Sequence, residues 1–203
     1  MSNNKNNKTL TDLLLTAIDE DLYKVNTCIP GIVDSFNATD KTVNVIPAIK
    51  RVDKDGEVVT LPIIEDVPIA YMQAKNGIIS IPIEKDDPVL IVFSQRAIDK
   101  WKNDGGIVDP TEVIPRRHNM SDAIAIPGIS TIGGGQAVDP DLLTVKYFNS
   151  TISIDRNDVV TIDNNTTSIV LDGDSALIDN GSGTIELKSS GQVDINGNLT
   201  VDV

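Results

Sequence analysis

Few side chains in this 203-residue chain have the type and setting for chemistry. The single histidine, His118, lies between Arg117 and Asn119 and has the ring nitrogens of a base or a metal ligand. No nucleophile-elbow motif accompanies it. The plainer reading is a loop histidine hydrogen-bonded near Asp122 or placed at a subunit contact. Cys28 is the one cysteine, so an intrachain disulfide and a thiolate metal cluster are both excluded. It reads as a small buried hydrophobe beside Ile29 in preference to a reactive thiol. Arg116 and Arg117 have the forked donors that grip phosphate, but in an acidic protein pairing with carboxylates of a neighbouring subunit is the better reading. Asp172-Gly173-Asp174 and Asp179-Asn180-Gly181 resemble pieces of calcium loops without completing either known calcium repeat, and they read as β-turns. Paired carboxylates for glycoside hydrolysis stay open in an Asp-rich chain. Its acids, however, alternate with apolar residues as a wet strand face does, and aromatic platforms for sugar are missing. Gly133-Gly134-Gly135 follows no strand–helix phosphate signature and reads as a link. The chain is expected to be no enzyme and to hold no cofactor or metal.

Charge narrows the partners. Lys and Arg number 17 against 30 Asp and Glu, a net of −13. From Asp141 onward nine Asp and one Glu face two Lys and one Arg, a net of −7. Such a surface repels nucleic acid and anionic headgroups, so no nucleic-acid partner is expected. The N-terminus, Met1 to Lys8, is rich in Asn and Lys without an apolar centre and does not read as a secretion signal. No run approaches the roughly 18 apolar residues of a membrane helix. A soluble product made in the cytoplasm is the expectation.

The elements that would position these residues fall into four stretches. Residues 1–24 hold a tail and a helix. Leu10, Leu13, Leu14, Ala17, Ile18 and Leu22 share one helical face, with Thr9 as N-cap and Asp12 at the third helical position. A helix this short is marginal alone, so its apolar face docks either on its own domain or on a partner. Residues 25–115 read as a compact β domain. Gly31–Phe36 and Thr42–Ile46 form a hairpin turning through Asn37-Ala38-Thr39-Asp40. Ala48–Val52 and Val58–Leu61 form a second, turning at Asp53-Lys54-Asp55-Gly56. Ile63–Ala70, Ile78–Ile83 and Val89–Phe93 complete it, and a short helix over Gln95–Lys102 follows. Several short strands with prolines at their starts and edges suggest a small Greek-key barrel of the OB type. An OB barrel for single-stranded nucleic acid needs a basic groove with stacking aromatics, and only Tyr71, Phe93 and Trp101 are near. Residues 116–140 are loop-rich and read as a linker.

Residues 141–203 are a different material. All ten prolines lie at or before Pro140, and no aromatic residue follows Phe148. Thr151–Asp155, Val160–Asp163 and Thr184–Lys188 alternate apolar with polar at period two, the mark of strands with one buried and one wet face. Seven such strands without large side chains read as a solenoid or an intertwined fibre. Winding several chains about one axis would bury Ile152, Ile154, Ile162, Leu171, Ile178, Ile185, Leu187, Val193 and Ile195 and satisfy the strand edges. Roughly eight layers spaced about 4.8 Å apart would make a rod about 40 Å long.

The order of parts resembles the central membrane-piercing spike proteins of contractile phage tails. The resemblance rests on Gly31-x-Val33-x-Ser35-Phe36, Thr42-Val43-Asn44-Val45, Ile63 with Asp66-Val67-Pro68, and Ile79-Ser80-Ile81-Pro82-Ile83. It continues through Asp86-Asp87-Pro88-Val89-Leu90-Ile91-Val92-Phe93-Ser94-Gln95-Arg96-Ala97-Ile98-Asp99-x-Trp101 and closes on Arg116 to Ile124, covering roughly residues 25–130. It implies an all-β chain: an OB-fold barrel followed by an intertwined triple-stranded β-helix, with a short N-terminal α-helix. It further implies a homotrimer, a baseplate hub as partner, transient contact with a host envelope, and assembly into a virion or tail baseplate after synthesis in the host cytoplasm. Leu10, Leu13, Leu14 and Ile18 are the expected hub-docking residues. Members that pierce directly often end in a His-x-His pair whose three copies bind tip iron. This chain ends Leu199-Thr200-Val201-Asp202-Val203, so no tip iron is expected, and either a separate tip-cap protein completes the point or the chain is truncated. The alternative function is a surface adhesin whose monomeric β-solenoid binds or hydrolyses carbohydrate in a carboxylate-lined groove.

Overall fold

The computed structural model describes residues 9–53, 55–109 and 116–198. The N-terminal octet behind the secretion-signal reading, Lys54 of the second hairpin turn, residues 110–115 and the C-terminal five lie outside it. The described chain is mostly β and divides into two units between Gly134 and Gly135. No described helix is long and apolar enough to cross a membrane.

The first unit opens with α1, Leu10–Tyr23. Its start is the expected capping box. The Thr9 hydroxyl oxygen accepts the Asp12 N–H at 3.1 Å, and the Asp12 carboxylate accepts the Thr9 N–H at 2.9 Å. The strands that follow are β1 Cys28–Asn37, β2 Thr42–Pro47, β3 Arg51–Val52, β4 Val58–Val59, β5 Ile64–Pro68, β6 Met72–Ala74, β7 Gly77–Ile79, β8 Pro88–Phe93 and β9 Ala123–Pro127, with α2, Asp99–Asp104, before the last. Five of them make one antiparallel sheet in the order β5-β2-β1-β8-β9. Register shifts between Val33 and Ser35 on β1 and between Val43 and Val45 on β2 bend the strands, as bulges do, and the sheet curls into a half-barrel. A parallel bridge between Ile69 and Ala125 brings the chain after β5 onto β9, where the Ala70 N–H donates to Ala125 O at 2.8 Å. Inside the curl sit Val33, Val45, Val67 and Ile91, all fully buried. Gly31 belongs to that inward row because a Cβ there would fall 2.5 Å from both Val45 Cγ1 and Ile91 Cδ1.

The second unit is one sheet of seven strands: β10 Leu143–Tyr147, β11 Ser150–Ile154, β12 Val160–Asp163, β13 Ser168–Leu171, β14 Ser175–Asp179, β15 Thr184–Lys188 and β16 Val193–Asn196. Spatial order equals chain order, and every neighbour pair is antiparallel. None of the six registers shifts. The sequence pattern fixed seven strands, but their neighbours come from the same chain. Within one chain they form a meander of hairpins; an intertwined triple-stranded β-helix is not shown. Short turns reverse the chain after each strand, so all neighbours run antiparallel. Six spacings of about 4.8 Å give a stack about 29 Å high, shorter than the eight-layer rod.

Several local expectations change. The segment 116–140, expected as a linker, supplies β9, whose Ala123 and Ala125 are fully buried beside β8. Small residues there carry little hydrophobic signal, which hid the strand. The second helix begins at Asp99 instead of Gln95, because the Ile98 N–H is engaged by Asp122 Oδ1 at 3.0 Å. β6 and β7 pair as a hairpin through Lys75-Asn76, outside the expected strand set. Cys28 is exposed: alternation along β1 sends Ile29, Gly31 and Val33 inward and Cys28 outward.

Candidate functional site

The pairings of the second unit place its apolar residues in two unbroken rows. Val145, Ile152, Ile162, Ile169, Ile178, Ile185 and Ile195 stand directly opposite one another from β10 to β16. Leu143, Ile154, Val160, Leu171, Ala176, Leu187 and Val193 form a second row two residues along each strand. Successive side chains on a strand alternate faces, so both rows share one face and no polar residue interrupts them. The nine residues expected in a trimer core all lie there. Five others complete the face: Val160, Ile169 and Ala176 are period-two neighbours of a named one, and Leu143 and Val145 stand across from Ile154 and Ile152.

Nothing in the described unit covers this face. Ile152, Ile178 and Ile185 keep 47%, 45% and 48% of their surface in contact with solvent. On the opposite face Thr151, Ser153, Thr161, Asp163 and Glu186 are half-buried. This reverses the distribution of a water-soluble monomer, in which the apolar side of a sheet is withdrawn from water. The open rows form one contiguous apolar patch, whereas exposed apolar side chains of a monomer are ordinarily scattered singly.

The turns hold the rows in register. Asp155 Oδ1 accepts the N–H groups of Asn157 at 2.7 Å and Val159 at 3.0 Å. Asp172 Oδ1 accepts those of Asp174 at 2.8 Å and Ser175 at 2.5 Å. Asp179 and Asn180 repeat the pattern onto Gly181 and onto Ser182 and Gly183. Of the aspartates in the two calcium-like stretches, Asp172 and Asp179 serve as turn caps. The amides of Val159 and then Asn157 hold the Asp155 carboxyl below the usual carboxylate range, and those of Asp174 and then Ser175 do so for Asp172. On the wet face the Lys188 ammonium bonds Asp194 and lies 3.8 Å from Glu186, which raises the lysine pKa and, with Gln192, lowers that of Asp194.

In the first unit, α1 meets the β3–β4 hairpin through its polar flank. Thr16, Asp19, Glu20 and Tyr23 face Arg51, Val52, Asp53 and Val59 across a groove of about 870 Å³. Tyr23 Oη donates to Val52 O at 2.8 Å, and the Arg51 guanidinium sits 4.4 Å from the Tyr23 ring centre. The apolar face expected for docking points elsewhere. Leu10, Leu13, Leu14 and Ile18 are 52–73% exposed, so the helix does not bury that face on its own domain.

The remaining candidates are structural. Arg116 pairs with Asp99 and, at 2.9 Å, with the fully buried Asp122, within its own chain and not across subunits. Asp122 Oδ1 accepts from Arg116 and from the Ile98 N–H, while the buried Asp122 Oδ2 and His118 Nδ1 have no hydrogen-bond partner among the described residues, so His118 is not bonded to Asp122. His118 contributes backbone instead: its N–H reaches Ser94 O at 3.2 Å, and its carbonyl accepts from Asn26 Nδ2 at 2.8 Å. Arg117 is exposed. Among the described residues no cluster of three or more His, Cys, Asp or Glu is arranged around a metal position.

Residues 29–128 match the family described as Phage protein Gp138 N-terminal domain. The matched stretch runs from the second residue of β1 to just past β9, the whole of the curled sheet. The match supports a phage structural protein connected with the baseplate and assembled into a virion. No curated protein matches the chain.

Proposed function

We propose that this chain is the central spike of a phage baseplate: a homotrimer whose curled N-terminal sheet is an OB barrel seated on the hub, and whose C-terminal sheets form a shaft that pierces the target envelope. The observation that carries the reading is the pair of apolar rows, fourteen residues deep in seven strands and covered by nothing in their own unit. Copies of the same sheet are the natural cover, because each offers an equal length of in-register apolar surface. The number three comes from the likeness to the spike family. The strand order β5-β2-β1-β8-β9, closed by the parallel contact to β9, supports the OB assignment.

In mechanical terms, each chain contributes one wall of hydrogen-bonded hairpins and the three walls meet on dry faces. Backbone hydrogen bonds between successive strands then run along the stack, the direction in which a piercing shaft is loaded. The wet acidic face, with its capped turns, keeps the shaft from adhering during passage. The reading assigns no catalytic step and no cofactor.

Light scattering tests it, repeated with SDS gels of unboiled sample. The expected result is a mass near three times 21.8 kDa that resists SDS. A monomer at micromolar concentration would leave the apolar rows in water and overturn the shaft.

A further inference from the structure

We infer that Asn76 is a site of slow chemical modification, losing its side-chain amide to become aspartate or isoaspartate, and that the same dipeptide at Asn180 is protected by its turn. Asn-Gly occurs at Asn76-Gly77, Asn180-Gly181 and Asn196-Gly197. In the reaction the glycine amide nitrogen, as its anion, attacks the asparagine Cγ. The new C–N bond closes a succinimide, the bond to the side-chain nitrogen breaks, and ammonia leaves. Water then opens the ring at either carbonyl, so the net change is uptake of water and release of ammonia. Glycine permits the attack because it has no Cβ in the way and a freely turning backbone. By residue type the pairs are equal, and their surroundings separate them.

Between β14 and β15 the reacting groups are held. Asn180 Oδ1 accepts the N–H groups of Ser182 at 3.0 Å and Gly183 at 2.9 Å, which fixes the side-chain amide. The Gly181 N–H donates to Asp179 Oδ1 at 2.7 Å, and a carboxylate beside it disfavours the amide anion. Asn76-Gly77 has the opposite setting. Lys75, Asn76 and Gly77 are exposed, and the lysine charge favours the anion. A Cβ on Gly77 would meet nothing within 4 Å, so the ring has room to close. β6 and β7 pair with each other and with no other described strand. A hairpin of three residues a side is marginal in water, so it frays and frees the Gly77 N–H from its place opposite Ala74. Modification puts a carboxylate beside Lys75 and, as isoaspartate, an extra methylene in the backbone of the turn. The third pair, Asn196-Gly197, ends β16 beside residues outside the described chain.

The full chain would be aged in mildly alkaline buffer, sampled over weeks, and digested with trypsin for tandem mass spectrometry. Cleavage after Lys75 and Lys85 leaves Asn76 as the only asparagine of its peptide. The expected result is deamidation at Asn76 about tenfold or more faster than at Asn180, a factor that a difference of about 1.4 kcal/mol in local opening supplies. In urea the two rates should converge. Asp179→Ala, which releases the Gly181 N–H, should speed Asn180 and leave Asn76 unchanged. Equal rates in the folded chain would overturn the inference. So would a difference that persists in urea, or an Asn180 rate that Asp179→Ala does not move.

Discussion

The half-barrel and the C-terminal sheet use the same alternation of branched apolar and polar residues, yet treat their apolar faces oppositely. On β8, Val89, Ile91 and Phe93 are 1%, 0% and 7% exposed; on β15, Ile185 and Leu187 are 48% and 51% exposed. The difference lies in how each sheet bends. Bulges on β1 and β2 and long excursions between strands let the first sheet curl over its own face and close through Ile69 and Ala125. Six unshifted registers joined by short capped turns leave the second sheet no device for covering itself. A face that is apolar from edge to edge, with no means of closure in its own unit, stays open to solvent. The same logic separates the two flanks of α1.

The comparison breaks first at the apolar rows. Ile178→Asp with Ile185→Asp would place a carboxylate from each position of every copy into a dry seam, at several kcal/mol apiece. The assembly is expected to dissociate completely in light scattering, while Ser153→Asp on the opposite face leaves the mass unchanged. A double variant of wild-type mass would show that the rows face solvent in the working protein. Next comes the half-barrel, where Asp122 is the one fully buried charge among the described residues. Arg116→Ala strands it and should lower stability to urea by about 3 kcal/mol without altering the mass, because the pair lies within one chain. Dissociation in that variant would mean that the half-barrel, too, depends on its neighbours.

The smallest effect concerns acid. Asp155 and Asp172 have folded pKa values below their ordinary ones, so their contribution to stability is present above the unfolded pKa of about 3.9 and is lost as pH falls through the lower folded values. Asp155→Ala with Asp172→Ala should therefore lower the melting temperature of the C-terminal unit at pH 7, by an amount that shrinks toward about pH 2. An equal deficit at both pH values would mean that the turns use these residues for shape and not for charge.

Much of this architecture is legible without coordinates because it is local. Period-two alternation marked all seven C-terminal strands, Thr9 and Asp12 marked the start of α1, and Asn37 to Asp40 marked the first hairpin, each from a handful of adjacent residues. The nine core candidates of the shaft fell on one face because strand geometry alone sorts side chains into two sets. What failed was whatever depends on contacts distant in sequence. Ala123 and Ala125 carry too little hydrophobic signal to announce a strand, and only the surface of β8 gives them a place. Arg116 found Asp99 and Asp122 within its own chain, and Asp122 in turn delayed the start of α2.

The sequence by itself determined that strands form, where they turn, and which residues share a face, since the pleat and the turn caps act over two to four residues. Only the tertiary structure decided which strands are neighbours, that the C-terminal seven pair within one chain, that Cys28 points outward, and that α1 meets its domain with its polar flank. Those outcomes depend on which surfaces meet across long stretches of chain, and a residue's type states what it would gain by burial without stating what is there to bury it.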